Sequence, residues 1–472
     1  MSKKKNNSEY LNTVIIGSGL SALNFIDTFK GKGKEINVIS PNYEHKLEPK
    51  YSSNINYLPS QMRDKKIQVE NFFLANNLVN SKKSKIIGSL DFGGLSNYWG
   101  LQMNNYITFD DYKINKKTKG EIFKNFIELI TKYNFIGKFK YKNKIYKNDF
   151  KIPDYLEKYV NKKINSFVIK KPILAFSRKI NKNRFFQINE KKDKCNSLNF
   201  LKKIKKKKKI RFHNFYLEDI EKYGKKIKLF CKKNNKSKTF IVDRIIFAAG
   251  TIATTKILMK YLNIKSEVKV NHHPRLISVY LSKHQIKTNL KFTPSLLQII
   301  GKIGKNNFSA DLRPGNKLIT DSIIELSSFL YPFKFLINLL KDRLIFSNIL
   351  LAPKFSDIYI KNFGDYFQLY TKKNNVTKTL SKANKKFFSF LFRNKIVFPF
   401  FKTHFPGIGA DFHYFGTLPI NSKNKLSVNE NCQLKNHKNI YVIDSSIFNF
   451  KSNRYPLGIV MANARRIGKL LS

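Results

Sequence analysis

Two groups of residues at opposite ends of the sequence carry the types and spacings that could do chemistry. Near the start, Thr13-Val14-Ile15-Ile16 runs into Gly17-Ser18-Gly19-Leu20-Ser21-Ala22. Near the end, His413-Tyr414-Phe415-Gly416-Thr417 precedes Asn439-Ile440-Tyr441-Val442-Ile443-Asp444-Ser445-Ser446. Imidazole titrates at about pH 6.5, so His413 can take a proton from a hydroxyl group at neutral pH. Gly17 permits a tight turn, and Gly19 lets an anion approach the backbone. Ala22 is small enough for a helix to pack on its strand. A helix beginning there aims its N-terminus at the anion. The first group therefore reads as a cradle for a dinucleotide pyrophosphate, with Gly17, Gly19, Leu20, Ser21 and Ala22 as binding residues.

The elements that must position these groups follow from the surrounding pattern. A strand over 13–16, a helix over 20–29 and a strand over 35–39 form half of a nucleotide-binding unit. An acidic residue is expected at the end of the second strand to accept ribose hydroxyls. Ser40 stands there instead, offering one hydrogen bond and no charge, and Glu44 is the acid in the loop beyond it. A second glycine cluster reads Gly93-Gly94-Leu95-Ser96-Asn97-Tyr98-Trp99-Gly100 and holds the chain's one tryptophan. Strands are predicted over 210–217, 226–231 and 239–247, the last running into Ala248-Ala249-Gly250-Thr251 before a helix over 252–262. Small residues at such a junction mark a close approach of the backbone to something else. A strand over 440–443 and a helix over 457–471 close the chain. No internal repeat is present.

Taken in this order, these blocks resemble the glucose–methanol–choline (GMC) oxidoreductases. In that family a segment like 93–100 lies along the flavin, a strand ending Ala-Ala-Gly precedes a helix near the pyrophosphate, and a His-x-x-Gly-Thr segment carries the catalytic histidine. The family's strand ending in Asp meets the cofactor, as at Asp444. The tail Pro456-Leu457-Gly458-Ile459-Val460-Met461-Ala462-Asn463-Ala464 is similar to its closing helix. Asn271-His272-His273-Pro274 resembles its His-Pro element, although these two histidines also read as simple turn residues.

The resemblance implies FAD as cofactor, held by Gly17, Gly19, Leu20, Ser21, Ala22, Ser40, Gly93, Gly94, Ser96, Asn97, Ala249, Gly250, Asp444, Ser445 and Pro456. It implies His413 as the base that takes a hydroxyl proton while the flavin accepts a hydride. The substrate class is an alcohol, sugar, polyol or glycoconjugate; the electron acceptor is left open among oxygen, a quinone and a protein. One position departs from the family. The residue before the proline of the closing helix is usually Asn or His, paired with the catalytic histidine over the substrate hydroxyl. Here it is Tyr455, with Asn453 two positions upstream. A phenol has a reference pKa of about 10 and can donate a hydrogen bond but is a poor base at neutral pH. Both residues are therefore candidates for the second catalytic role.

The expected fold class is α/β. A Rossmann-like FAD-binding domain with a mostly parallel sheet is assembled from 10–110, 200–262 and 405–472. It is interleaved with an α+β substrate domain built on an antiparallel sheet, from 112–199 and 263–404.

Composition bounds the rest. Length allows two or three domains, and 42% hydrophobic residues exclude global disorder. Ninety Lys+Arg against 31 Asp+Glu give a net charge of +59. Because the excess is spread along the whole chain, it reads as solvated lysine with a general pull toward anionic surfaces. No specific nucleic-acid partner is expected. The run Lys202-Lys203-Ile204-Lys205-Lys206-Lys207-Lys208-Lys209 reads as an exposed turn before a strand. Cys195, Cys231 and Cys432 show neither disulfide nor zinc spacing, which fits a reducing compartment. The N-terminus lacks a secretion signal, so a cytoplasmic location is expected.

No uncharged run reaches the roughly 18 residues needed to span a bilayer. Over 327–353, Phe329, Phe333, Leu336, Ile337, Leu340 and Leu344 recur at helical spacing and predict an amphipathic helix. A second aromatic-basic stretch covers 387–393 and 396–401. Packing inside the substrate domain is the expectation for both; a peripheral membrane contact is the alternative. Two rival functions remain beside alcohol oxidation: a flavin-binding protein with altered catalysis, and a charge-driven binder of nucleic acid or anionic surfaces.

Overall fold

In the computed structural model the described residues are 8–31, 35–41, 72–73, 75–81, 84–97, 99–103, 113–141, 144–177, 193–233, 236–288, 293–372, 375–453 and 455–472. Glu44 lies outside them. The apolar run before the first glycine forms β1 (Glu9–Ile16), followed by α1 (Leu20–Thr28) and β2 (Ile36–Ile39). Next come α2 (Lys116–Lys132), β3 (Lys163–Ile164), β4 (Phe167–Lys170) and α3 (Ser197–Lys205). The middle of the chain contributes β5 (Ile210–His213), β6 (Tyr216–Tyr223), β7 (Lys226–Lys233), β8 (Lys236–Phe247) and α4 (Thr251–Tyr261). Then follow β9 (Arg275–Ser282), β10 (Leu297–Ile303), β11 (Asn306–Pro314), α5 (Lys317–Leu326) and α6 (Lys334–Leu339). The last elements are β12 (Leu344–Leu351), α7 (Val376–Arg393), β13 (Val397–His404), β14 (Ile440–Val442) and α8 (Leu457–Leu470).

The expected α/β class is what the chain adopts. One sheet has the order β5-β2-β1-β8-β7-β6, with β14 also pairing β8. Its β5, β2, β1, β8 and β14 contacts are parallel, and β7 adds an antiparallel flank. Val14 and Ile15 of β1 are fully buried, as a central parallel strand covered on both faces requires. The helices α1 and α8 pack together, with Thr28 Oγ1 donating to the Arg465 carbonyl at 2.9 Å. The second large sheet has the order β13-β9-β12-β11-β10-β4-β3 and is antiparallel throughout. All eight residues of β12 are buried; α7 packs on this sheet, and Ile319 of α5 joins Leu344 and Phe346 of β12 in a small apolar cluster.

Three local expectations change. The stretch 327–353 is not one helix. Pro332 sits in a 3-10 turn (Ser328–Phe333), α6 is short, and the chain is extended from Leu344, because Leu344-Ile345-Phe346 and Ile349-Leu350-Leu351 are buried on both faces of a strand. The lysine run is not simply a turn: Lys202, Lys203 and Lys205 lie in the last turn of α3, where cations complement the helix dipole. Finally, α2 lies against α8, with Arg466 Nη1 3.5 Å from Glu121 Oε2. Part of 112–199 therefore packs on the nucleotide-type sheet's helices. Among the described residues, no helix is long and apolar enough to cross a membrane.

Candidate active site

One cleft runs from the first glycine turn to the C-terminal histidine. The turn is fixed by two backbone bonds: Gly17 N–H donates to the Ile39 carbonyl and Ala248 N–H to that of Ile16, both at 2.9 Å. Gly17 has φ +101°, and a Cβ there would stand 2.5 Å from the Ala248 carbonyl oxygen. Only glycine fits so close to the Ala-Ala-Gly strand end.

The second glycine cluster is bonded to this turn. Ser18 Oγ accepts the Gly93 N–H at 2.9 Å and lies 2.7 Å from Ser40 Oγ. Ser96 Oγ donates to the Gly93 carbonyl at 2.6 Å. At Gly93, with φ +91°, a side chain would strike Ser197, its Cβ 2.7 Å away.

Of the sequence-predicted cofactor residues, Gly17, Gly19, Leu20, Ser21, Ser40, Gly93, Gly94 and Ser96 line the cleft. So do Ala249, Gly250, Asp444, Ser445 and Pro456. Two do not. Ala22 is wholly buried in the packing face of α1, and Asn97 turns its amide inward to donate to the Phe92 carbonyl at 2.7 Å. Asp444 organises the far side: its carboxylate accepts the Gly250 N–H at 3.0 Å, Thr254 Oγ1 at 2.6 Å, and the Ser446 N–H and Oγ at 3.1 and 2.5 Å. Burial pushes its pKa up from the ordinary value, and these four donors oppose the shift.

His413 reaches the same cleft from the other end. Its Nδ1 is buried and has no hydrogen-bond partner among the described residues. Burial, reinforced by the neighbouring His273, pushes its pKa down to about 3, against the pull of Asp411. The ring is thus neutral at physiological pH. Asp411 is the hub of its surroundings. One carboxylate oxygen accepts the backbone N–H groups of His413 and His273 at 3.1 and 3.2 Å; the other lies 2.5 Å from His272 Nδ1. Burial alone would raise the Asp411 pKa, but His272 and the other histidines hold it well below the usual carboxylate range.

His272 and His273 are not simple turn residues. Both are fully buried, His273 Nε2 meets the Ser452 carbonyl at 2.9 Å, and its ring stands 5.5 Å from that of His413. The bridge between Asn271 and Phe415 brings the two segments together.

Tyr455 is the second-role candidate that faces the cleft; Asn453 is buried off its wall, with Nδ2 unpartnered among the described residues. The Tyr455 ring lies edge-on to His413 at 5.2 Å. Its hydroxyl donates to Asp311 at 2.8 Å, and burial together with that carboxylate raises its pKa well above 10. Arg313 Nε and Nη2 reach the same carboxylate oxygen at 2.7 and 2.6 Å, and the other oxygen accepts the Asn348 N–H at 2.6 Å. Asp311 thereby ties β11 to β12, and Arg313 and Asn348 join the cleft wall.

Neither a protein-family model nor a curated protein matches the sequence. A solved structure does match. The fold is similar to that of pyridoxine 4-oxidase from Mesorbium loti. The TM-score is 0.61 over 97% of this chain and 98% of that one, at 10% sequence identity. At so low an identity the likeness to pyridoxine 4-oxidase shows a common fold. Asp411, Asp311, Arg313 and Asn348, as well as Arg275 on the cleft wall, were not found from sequence. Asp311 and Arg313, like Asp411 and His413, stand two residues apart, but their other partners, His272, Tyr455 and Asn348 among them, lie far away in the chain.

Proposed function

We propose that this chain is an FAD-dependent oxidoreductase of the GMC type, which oxidises the CH–OH group of a small alcohol, sugar or polyol to a carbonyl. The observation that carries the reading is a neutral histidine with an unpartnered ring nitrogen, set at one end of a cleft whose other end is a glycine turn opening a helix. The motif order seen in sequence and the fold shared with an oxidase support the same reading.

The residues fit the cofactor. Gly17 and Gly93 form a cradle that any Cβ would fill. The N-terminus of α1, capped by no side chain, leaves backbone N–H groups for a pyrophosphate. Gly93, Gly94, Ala249 and Gly250 present bare backbone along the cleft. When bound, the flavin supplies a two-electron acceptor for the hydride from carbon. The protein supplies the proton path: His413 accepts the hydroxyl proton as the C–H bond breaks. The imidazolium so formed stands beside Asp411, whose charge favours the protonated ring. Tyr455 stays protonated and acts as a wall beside His413, its hydroxyl donating a hydrogen bond to Asp311.

Purified protein reconstituted with FAD and mixed anaerobically with alcohols, sugars and polyols tests the proposal. Loss of the oxidised flavin absorbance supports it. Retained colour with every donor favours a flavin protein with altered catalysis. A protein that takes up no FAD but binds polyanions in a salt-sensitive manner favours the charge-driven alternative.

A further inference from the structure

The packing expected for the aromatic segments holds only in part. Phe387, Phe390, Ile396 and Val397 are buried, but the excursion between α5 and β12 carries its apolar side chains into water. Phe329 and Phe335 are 70% and 72% exposed, and Tyr331, Phe333, Leu336 and Leu339 are each more than half exposed. No residue of the 3-10 turn or of α6 is buried. This is an anchored piece of structure: Thr320 Oγ1 donates to Asn338 Oδ1 at 2.6 Å, and Arg343 Nη1 to the Lys283 carbonyl at 3.1 Å. The exposed Phe398, Phe400 and Phe401 of the edge strand β13 flank the same end of β9, where Leu281 pairs Leu344 and Ser282 pairs Val397. Lys283 sits between them, its Nζ 5.7 Å from the Phe398 ring. A contiguous apolar surface of this kind marks an interaction site.

We infer that this face docks on an anionic lipid bilayer, with the aromatic side chains entering the interface and Lys283, Lys334, Lys341, Arg343 and Lys402 meeting the headgroups. Charge decides the occupant. A second copy of the chain brings another +59 and is repelled. An anionic bilayer offers acyl chains for the rings and negative headgroups for the rim, where Asp342 is the acid in the excursion. The excursion also leads directly into β12, the strand that carries Asn348 into the cleft. From Leu344 to Asn348 is about 13 Å along the strand. The docked face and the cleft are therefore joined through β12. This inference stands on the exposed surface alone and does not depend on the flavin reading.

The test is co-sedimentation of the full-length protein with vesicles of phosphatidylcholine plus phosphatidylserine, and of phosphatidylcholine alone, at low and high salt. Wild type is expected to pellet with the anionic vesicles and to keep part of that binding at high salt. The triple variant Phe329→Ser, Phe335→Ser, Leu336→Ser is expected to bind roughly tenfold more weakly or worse, with an unchanged circular dichroism spectrum. The conservative Phe335→Trp is expected to retain binding, with emission quenched by brominated acyl chains. Unchanged vesicle binding by the triple variant, absence of binding by wild type, or no quenching in pelleted Phe335→Trp beyond that of wild-type Trp99 would each overturn the inference. So would a wild-type dimer in solution that the triple variant abolishes, which would make a second copy the occupant.

Discussion

The Tyr455 hydroxyl donates a hydrogen bond to Asp311, 2.8 Å away, across the join between the C-terminal segment and the antiparallel sheet. Arg313 holds the same carboxylate, so the phenol is part of a structural triad as well as a wall of the cleft. On the proposed function, a substrate hydroxyl placed between Tyr455 and His413 would meet His413 as its base and Tyr455 as a hydrogen-bonded neighbour.

This arrangement makes the triad's members separable. Tyr455→Phe leaves Asp311 paired with Arg313, so we expect a stability loss of only about 1 kcal/mol and a change in flavin reduction of less than about tenfold. Asp311→Ala leaves the Arg313 guanidinium buried without its counter-ion, for which we expect a loss of about 3–5 kcal/mol. Denaturant unfolding of both variants checks the order; equal losses would mean that Arg313 draws its stability from elsewhere.

The two glycines of the first turn should behave differently. Gly17→Ala forces a Cβ against the Ala248 carbonyl at a positive φ, so the apoprotein itself should be destabilised. At Gly19 a Cβ would lie 3.7 Å from the Gly93 carbonyl oxygen, an ordinary contact. Gly19→Ala should therefore fold with near wild-type stability and lose FAD affinity alone. Thermal unfolding without cofactor, followed by FAD titration, distinguishes the two. A Gly19→Ala protein that binds FAD normally would place the pyrophosphate elsewhere.

His413 also predicts a pH dependence. Folded, it resists protonation down to about pH 3; unfolded, it titrates near 6.5. Between these values the unfolded chain binds the extra proton, so the residue's contribution to stability is complete above about pH 6.5 and is lost as pH falls toward 3. His413→Gln should flatten the acid side of the stability profile relative to wild type. The same shift removes any acid limb near pH 6.5 from flavin reduction attributable to this residue. Parallel stability profiles, or a limb near 6.5 that vanishes in the variant, would mean that the ring titrates normally.

Legibility in the sequence followed the range of the interactions. The glycine turn, the strand running into Ala248–Gly250 and the histidine before Gly416-Thr417 are local signals, and backbone geometry demands them locally. Asp411 meets His272 and His273, and Asp311 meets Tyr455 and the Asn348 N–H, across at least 37 residues of chain, so only the Asp311–Arg313 neighbourhood is local. Ser40 reads as a weak ribose contact; in the structure it lines the cleft and also lies 2.7 Å from Ser18 Oγ, a long-range bond with no local signal. The helical spacing from Phe329 to Leu344 was misleading: Pro332 breaks the helix, and the mostly apolar stretch from Leu344 to Leu351 follows strand burial, where period alone does not discriminate.

The most direct measurement is the anaerobic reduction of bound FAD by a reactive alcohol, followed at the flavin's visible absorbance in wild type and in His413→Ala. The account predicts that both proteins bind FAD equally, that wild type bleaches, and that the variant bleaches slower by roughly 10²–10⁴-fold. Equal bleaching rates would remove His413 from the chemistry, and a wild-type protein that takes up no FAD would contradict the account at its base.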